Sequence, residues 1–330
     1  MPFNNTPGAV HYDEYLTSFA TSYYVEQNYL AGRVFPVIDV AKQSDKYYVF
    51  DAAEENREFS NLVKKAAPLT SPNMIETTQS SDSYFSEQYW LGFYMDMFTQ
   101  ANEDEVLRTR ERKARLTLDN MLKKRDRDWL DTFMTDSVWG KDLDGSTSDF
   151  VQWDDGASTP IDDIMKWKED FEIRNYGLKP NKVVISKDIK RHILTNTQVL
   201  GRINGGATVA NPAMVNDAII AAMFEVDEII WADAVSNQAN HGQAENAARM
   251  VSNKMLLTHS PNEVGMDVPS AGQIFAWNQV PGFNYGISVQ SFSGEDLARK
   301  KVAEEVHVGC AYDMKITGKN LGTFVEKIVS

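Results

Sequence analysis

Apolar residues recur along this chain with two different periods. Between Asn102 and Thr135, residues Leu107, Ala114, Leu118, Met121, Leu122, Trp129 and Phe133 fall at steps of three, four and seven, the spacing that holds side chains on one face of an α-helix. Asn102 is placed to cap the first turn, Glu105 to reach back as in a capping box, and Glu103 and Asp104 to face the positive end of the dipole. No Gly or Pro interrupts the run, so it predicts a helix about 50 Å long, a beam on which other segments pack. Tyr12, Leu16, Phe19, Tyr23 and Leu30 predict a shorter helix ended by Gly32, after a flexible arm over 1–10. The β pattern appears at Val34 to Val40 around Pro36, an expected edge strand, and at Lys46 to Phe50.

From Asp51 to Ser83 the pattern fails. Phe59, Leu62, Val63, Leu69, Met74 and Ile75 are the only large apolar residues in a stretch of charged, small and hydroxyl side chains, which cannot bury a core of its own. Aromatic runs flank it, YYVF before and Tyr84, Phe85, Tyr89 and Trp90 after, and these are able to pair as antiparallel strands. The expectation is a two-stranded arm that leaves the body and finds its core on a neighbour. After the beam, residues 141–159 read as a linker rich in Asp, Gly and Ser. A helix starts at Thr159-Pro160 and ends at Gly177. A strand at Lys182 to Ile185, a helix at Ser186 to Leu194, a Gly-rich loop at 201–206, a helix at Ala213 to Phe224 and a strand at Glu228 to Trp231 follow, then an exposed loop over 236–250 and a strand at Met255 to His259. The tail from Gln273 reads as strands. The fold class is α+β.

Charge and composition narrow the function. With 47 acidic and 33 basic residues the chain carries a formal charge of −14, which argues against a general nucleic-acid binder. A single cysteine, Cys310, excludes an intramolecular disulfide and a zinc finger. No stretch of 18 apolar residues occurs, so no membrane partner is expected. Phosphate-loop, dinucleotide-binding, HExxH and GxSxG motifs are all absent. The Gly201 to Gly206 run follows a helix rather than a strand and reads as a mobile connection. His307 and Cys310 stand an odd number of residues apart on an expected strand and point to opposite faces. Asp154-Asp155 and Asp162-Asp163 fit a linker and a helix first turn as well as they fit a cation. No cofactor, metal or catalytic residue is assigned. The one pronounced charged feature is Arg108, Arg112 and Arg115 on one side of the beam, a stripe able to meet phosphates or a partner's carboxylates. The nine basic residues between Asn102 and Thr135 face eight acidic ones, however, so it reads first as a solvated, salt-bridged face, with the arm's Glu54, Glu55 and Glu58 as suitable partners.

The order of these elements resembles that of the major capsid proteins of tailed phages, the HK-97-type shell fold. Thr21 to Asp51 is similar to the family's entry into its extended loop, above all Arg33-Val34-Phe35-Pro36 and Gln43-Ser44-Asp45-Lys46-Tyr47. Gly177 to Leu194, Phe224 to Ala234 and Pro269 to Trp277 are similar to later family segments, in the same order. The resemblance implies an N-terminal arm and short helix (1–33), an extended β-hairpin loop with flanking strands (34–92), a peripheral domain with a spine helix (93–154), an axial domain (155–272) and strands returning to the peripheral domain (273–330). It implies a non-enzymatic subunit of an icosahedral head shell around double-stranded DNA, assembled in the host cytoplasm from hexamers and pentamers. The packaged DNA would be touched only non-specifically. A scaffolding protein, a portal and a decoration protein would be its partners; no fused scaffolding region precedes the recognised segment, so the scaffold is expected to be separate. Assembly contacts are expected from Glu54, Glu55, Arg57, Glu58, Lys64 and Lys65 in the arm and from Arg108, Arg112 and Arg115 on the beam. Some relatives crosslink a loop lysine to a neighbour's asparagine, a role that the resemblance does not assign to Lys42, Lys46, Lys64 or Lys65. The alternatives are an enzyme-packaging nanocompartment of the same fold and, more distantly, a cytoplasmic enzyme.

Overall fold

The computed structural model describes residues 11–12, 29–58, 60–63, 65, 71, 73–75, 78–101, 109–204, 216–237, 239, 242–261, 263, 265, 268–279, 285, 288–293, 297, 300 and 302–330. In chain order its elements begin with β1 (His11–Tyr12), α1 (Ala31–Val34), β2 (Val37–Val40), β3 (Ser44–Tyr48), α2 (Ala52–Glu55), β4 (Ser81–Phe85), β5 (Glu87–Asp96), α3 (Met97–Ala101) and α4 (Thr109–Phe133). They continue with β6 (Lys141–Asp144), α5 (Pro160–Arg174), β7 (Lys182–Ser186), α6 (Ile189–Thr195), α7 (Thr197–Asn204), α8 (Asp217–Phe224) and β8 (Glu228–Ala232). The last are β9 (Val235–Asn237), β10 (Ala247–Arg249), β11 (Lys254–Thr258), β12 (Gly272–Trp277), β13 (Ser288–Phe292), β14 (Val302–Ile316) and β15 (Gly322–Glu326).

Two larger sheets divide these strands. The first has the order β1-β13-β14-β12-β2, with β5 also paired to β14, and the second β6-β15-β11-β7-β8. The long helix α4 serves both. Its buried stripe, including Ala114, Leu118, Leu122, Trp129 and Phe133, shares one core with Ile274, Val306, Val308 and Cys310 of the first sheet and with Val184, Ile230, Leu256 and Phe324 of the second. Successive side chains on a strand point to opposite faces. Val183, Ile185, Met255, Leu257 and Val325 therefore enter a second core, closed by α5, α6 and α8 through Ile164, Trp167, Ile193 and Phe224. A sheet buried on both faces needs continuous apolar runs, which is why KVVIS and KMLLT carry no clean alternation.

Where α4 ends, rings set the spacing. Phe35 lies 4.6 Å from Phe133 and 5.6 Å from Trp129 between ring centroids. A side chain at Gly272 would meet Phe133 Cε1 at 2.9 Å and Phe35 Cε2 at 3.0 Å, so β12 starts at a glycine because the backbone passes against both rings. Two charges also lie on the buried stripe. Arg125 Nη1 donates to the carbonyl oxygen of Tyr285 at 2.8 Å, with the guanidinium 4.2 Å above that ring. Asp126 accepts from the amides of Leu30 at 3.0 Å and Ala31 at 3.1 Å, which caps the buried start of α1. Burial pushes the Asp126 carboxyl up, and the two amides pull it back. On the other side of α1, Lys182 Nζ donates to the carbonyls of Arg33 at 3.0 Å and Val34 at 3.2 Å, and Lys254 Nζ reaches the carbonyl of Met134 at 3.0 Å. The second sheet thus holds the C-terminal ends of α1 and α4 by their free carbonyls.

Several expectations are corrected. The beam is a helix over its described part, 109–133, but its start at Asn102, with Glu103, Asp104, Glu105 and Leu107, lies outside the described residues, as does 13–28 of the expected short helix. Gly32 lies inside α1 rather than ending a helix, and His11–Tyr12 pairs with β13. The 141–159 linker is docked. Leu143, Phe150 and Trp153 are buried, and β6 runs parallel to β15; the Asp and Ser residues that suggested a linker make turns, as where Asp144 accepts from the Ser146 amide at 2.8 Å. Gly201 belongs to α7, wound because Val199 and Ile203 bury one side. Part of 236–250 is ordered as the antiparallel pair β9-β10, with Arg127 of α4 donating to the Ser236 hydroxyl at 3.1 Å. The tail does not return as one piece. β12, β13 and β14 join the first sheet, while β15 joins the second beside β11, because its alternate residues Phe324 and Val325 serve the two cores.

The docking of β6 on β15 has a pH signature. Lys327 Nζ donates to Asp144 at 2.6 Å and Ser146 also donates to it, so the Asp144 carboxyl falls from 3.8 to about 2. A depressed carboxyl stabilises the fold above its unfolded value and loses that contribution as pH falls through the folded one. The window is therefore from 3.8 down to about 2. In the Lys327→Met variant, carboxyl NMR titration should place Asp144 between about 2 and 3.8, since Ser146 still donates; an unmoved midpoint would show that Lys327 does not set it.

Candidate functional site

The polar excursion is a hairpin arm with an aromatic root. β3 and β4 pair antiparallel from Ser44 opposite Phe85 to Tyr48 opposite Ser81. Alternation brings Tyr47 and Tyr84 to the inner side, where they sit on Phe275 of β12 at 5.2 Å and 4.5 Å, the second pair stacked at 12°. Ile38 and Val40 complete this small core. Burial, with Asp82 beside it, raises the Tyr47 phenol above its ordinary value. Tyr89 and Trp90 do not belong to the arm, contrary to expectation. The chain turns at buried Ser86, whose amide donates to the Gln43 carbonyl at 2.9 Å and whose hydroxyl donates to the Phe275 carbonyl at 3.2 Å; beyond it β5 pairs with β14.

Past the tyrosines, the Phe50 amide donates to the Thr317 carbonyl at 2.7 Å and its ring packs on the main core; from Asp51 on, the polar contacts of the described arm residues are local. Asp51 caps α2 by accepting from the Ala53 amide at 3.0 Å, Glu54 pairs with Arg57, Glu58 accepts from the Ser60 hydroxyl, and Asn73 Nδ2 donates to the Leu62 carbonyl at 2.7 Å. Glu55 and Lys65 are exposed, and Lys64 lies outside the described residues. Val63 and Met74 are apolar side chains 81% and 80% exposed and belong to no core among the described residues. On the beam Arg112 and Arg115 are exposed, and Arg108 lies outside the described residues. Within its own chain Glu54 is engaged by Arg57 of the arm. The neighbouring cations of α4 have structural work: Arg110 grips Glu304 of β14 with Nε and Nη2 at 2.9 and 2.6 Å, and Lys113 Nζ donates to the Tyr94 carbonyl at 2.8 Å.

Sequence reasoning missed a second surface. β5 has β14 as its one strand partner among the described residues, and β5 with α3 exposes Trp90, Leu91, Tyr94, Met97 and Phe98. The signal was present in EQYWLGFYMD, which is apolar at both parities: Phe93 packs on the core that α4 shares and Met95 is buried, while Trp90 and Tyr94 are exposed. His307 and Cys310 are on opposite faces of β14. Cys310 is buried in the main core, where burial pushes its thiol up to about 12, so it is inert as a nucleophile near neutral pH. Among the described residues no group of three or more His, Cys, Asp or Glu is placed to hold a metal ion, and no helix is long and apolar enough to cross a membrane.

Removing the stacked ring at the arm root should release the arm alone. Tyr84→Ala is expected to cost about 3 kcal/mol locally and to speed amide hydrogen exchange in 44–48 and 81–85 while β12 and β14 stay protected. Equal acceleration in all four strands would mean that the arm is not a separate unit.

No family model matches the sequence, and no curated protein matches it. Solved structures do. A phage-related protein from Bordetella bronchiseptica superposes with a TM-score of 0.69 at 16% identity, covering 97% of this chain and 98% of that one. The capsid of the cyanophage P-SCSP1u gives 0.57 at 9% identity, covering 99% and 92%. The holo encapsulin complex from Synechococcus elongatus gives 0.53 at 12% identity, covering 99% and 94%. A helix shared by two sheets, with a hairpin arm rooted on the first, is thus the HK-97-type shell fold.

Proposed function

We propose that this chain is the major capsid protein of a tailed bacteriophage, a non-enzymatic subunit that assembles with its own copies into an icosahedral head shell around double-stranded DNA. The observation that carries the reading is the likeness of fold along almost the whole length of a cyanophage capsid chain, 99% of this chain and 92% of that one. The arm supports it independently, because Val63 and Met74, in the segment between the two hairpin strands, are exposed apolar side chains that a neighbouring molecule could cover. In this reading Glu54, Glu55, Arg57, Glu58, Lys64 and Lys65 of one copy and Arg108, Arg112 and Arg115 of another form the contacts between subunits. Many modest polar contacts suit a closed shell, since subunits that lock at first encounter cannot correct a wrong arrangement. The acidic surface suits non-specific, weak contact with packaged DNA. The subunit comprises an arm, a peripheral sheet with the spine helix, and an axial sheet from about residue 155 to 272 that also takes in β6 and β15. A separate scaffold, a portal and a decoration protein are the further partners proposed, with assembly in the host cytoplasm and the virion as the final location.

The second reading is a nanocompartment shell, favoured by the match to an encapsulin over 99% of this chain. Particle content separates the two, nucleic acid for the phage head and protein cargo for the compartment. Deletion of Glu55 to Asn73 tests what they share. The shortened chain should remain folded and soluble by circular dichroism and sedimentation yet yield no complete particles by electron microscopy, where the full chain does. Normal closed shells from the deletion would remove the arm from assembly.

A further inference from the structure

The outer face of the first sheet carries a small cavity of about 290 Å³ at Trp90, Gly92, Tyr94, Glu305 and His307. Its construction follows from register. Across the antiparallel β5-β14-β13 ladder Tyr94 is opposite Glu305, which is opposite Phe292, and Gly92 is opposite His307, so all of these project to one side. The Glu305 carboxylate is flanked by a tyrosine ring on one strand and a phenylalanine ring on the other. His307 Nε2 donates to Glu305 Oε1 at 2.7 Å, and its ring stands 5.7 Å from Trp90, edge to face, and 4.9 Å from Phe292. Gly92 keeps the space open: a side chain there would meet His307 Cδ2 at 2.7 Å and the Val306 carbonyl at 2.9 Å. Trp90 and Tyr94 remain 67% and 60% exposed.

We propose that this dish binds an organic cation, an ammonium or guanidinium on a short apolar stem. Aromatic faces attract a cation through their quadrupole, and a carboxylate set among them supplies the opposite charge. A purely apolar occupant would leave the Glu305 charge facing a dry surface without a donor, since His307 engages one of its two oxygens. The inference goes beyond the shell reading and does not require it. The cation has two sources, a free small molecule or a Lys or Arg side chain of another copy, and both present the same group to the same rings.

The probe is choline, compared with its uncharged tert-butyl analogue in which carbon replaces the quaternary nitrogen. NMR titration of the full chain as free subunits should show saturable choline binding with shifts at Trp90 and His307, and the neutral analogue binding about fivefold or more weaker. Glu305→Gln should weaken choline by a similar factor while leaving the neutral analogue unchanged, and Trp90→Leu should weaken choline alone; Phe98→Leu, outside the dish, should change neither. Gly92→Ala should abolish binding, and the Glu305 and Trp90 variants keep the test open if that chain fails to fold. Equal binding of the two probes, no saturable choline binding, or indifference to Glu305→Gln overturns the proposal. Repeating the titration on assembled particles separates the sources: binding to both forms indicates a free cation, and binding to free subunits alone indicates a neighbour's side chain. The shell reading is judged by whether particles form, which choline binding does not report.

Discussion

One helix stripe must be buried twice. The stripe of α4 from Ala114 to Phe133 has two sheets to satisfy, and the shared core is possible because the second sheet turns one parity of its residues, Val184, Ile230, Leu256 and Phe324, toward the helix and keeps the other for α5, α6 and α8. The rest follows from this. Glycine starts β12 where the backbone crosses the Phe35 and Phe133 rings, and Lys182 and Lys254 of the second sheet close the carbonyl ends of α1 and α4. Asp126 is desolvated on the stripe because the first turn of α1 needs an acceptor there. Buried ions of this kind are costly to break and give position rather than raw stability.

The arm obeys the opposite rule. It touches the body through two tyrosines against Phe275 and through Phe50, whose amide donates to the Thr317 carbonyl at 2.7 Å, and from Asp51 to Asn73 the hydrogen bonds of its described residues are local. An arm rooted on the body and exposed beyond its root is the arrangement expected of a subunit whose final contacts form on another molecule, because the ordering of the arm is then coupled to assembly. β5 adds a feature of a different kind. Its exposed aromatic side is organised around a carboxylate and a histidine rather than being a plain apolar strip.

Much of the fold was legible in the sequence because periodicity reports burial on one element at a time. The stripe of α4, the runs KVVIS and KMLLT and the polar stretch after YYVF all declare themselves in this way. What was not legible depends on partners distant in sequence. Arg125 and Asp126 look like solvated helix charges until Tyr285 and Leu30 are brought to them. The 141–159 segment looks like a linker because its turns use Asp and Ser, although Phe150 and Trp153 commit it to a core. Tyr89 and Trp90 look like arm residues because aromatic composition does not reveal that the chain turns at Ser86. Of the candidate site, the arm and the exposed Arg112 and Arg115 were readable, but the dish on β5 and β14 was not, since it exists by register alone.

The central claim, that this fold is used to build a shell, is tested most directly by a cryo-electron microscopy reconstruction of particles formed by the full chain. The account predicts a closed shell in which each arm lies on an adjacent subunit, with Val63 and Met74 covered and Arg112 and Arg115 at a subunit boundary. Particles in which the arms face solvent, or a chain that stays as single subunits where its partners are supplied, would contradict it.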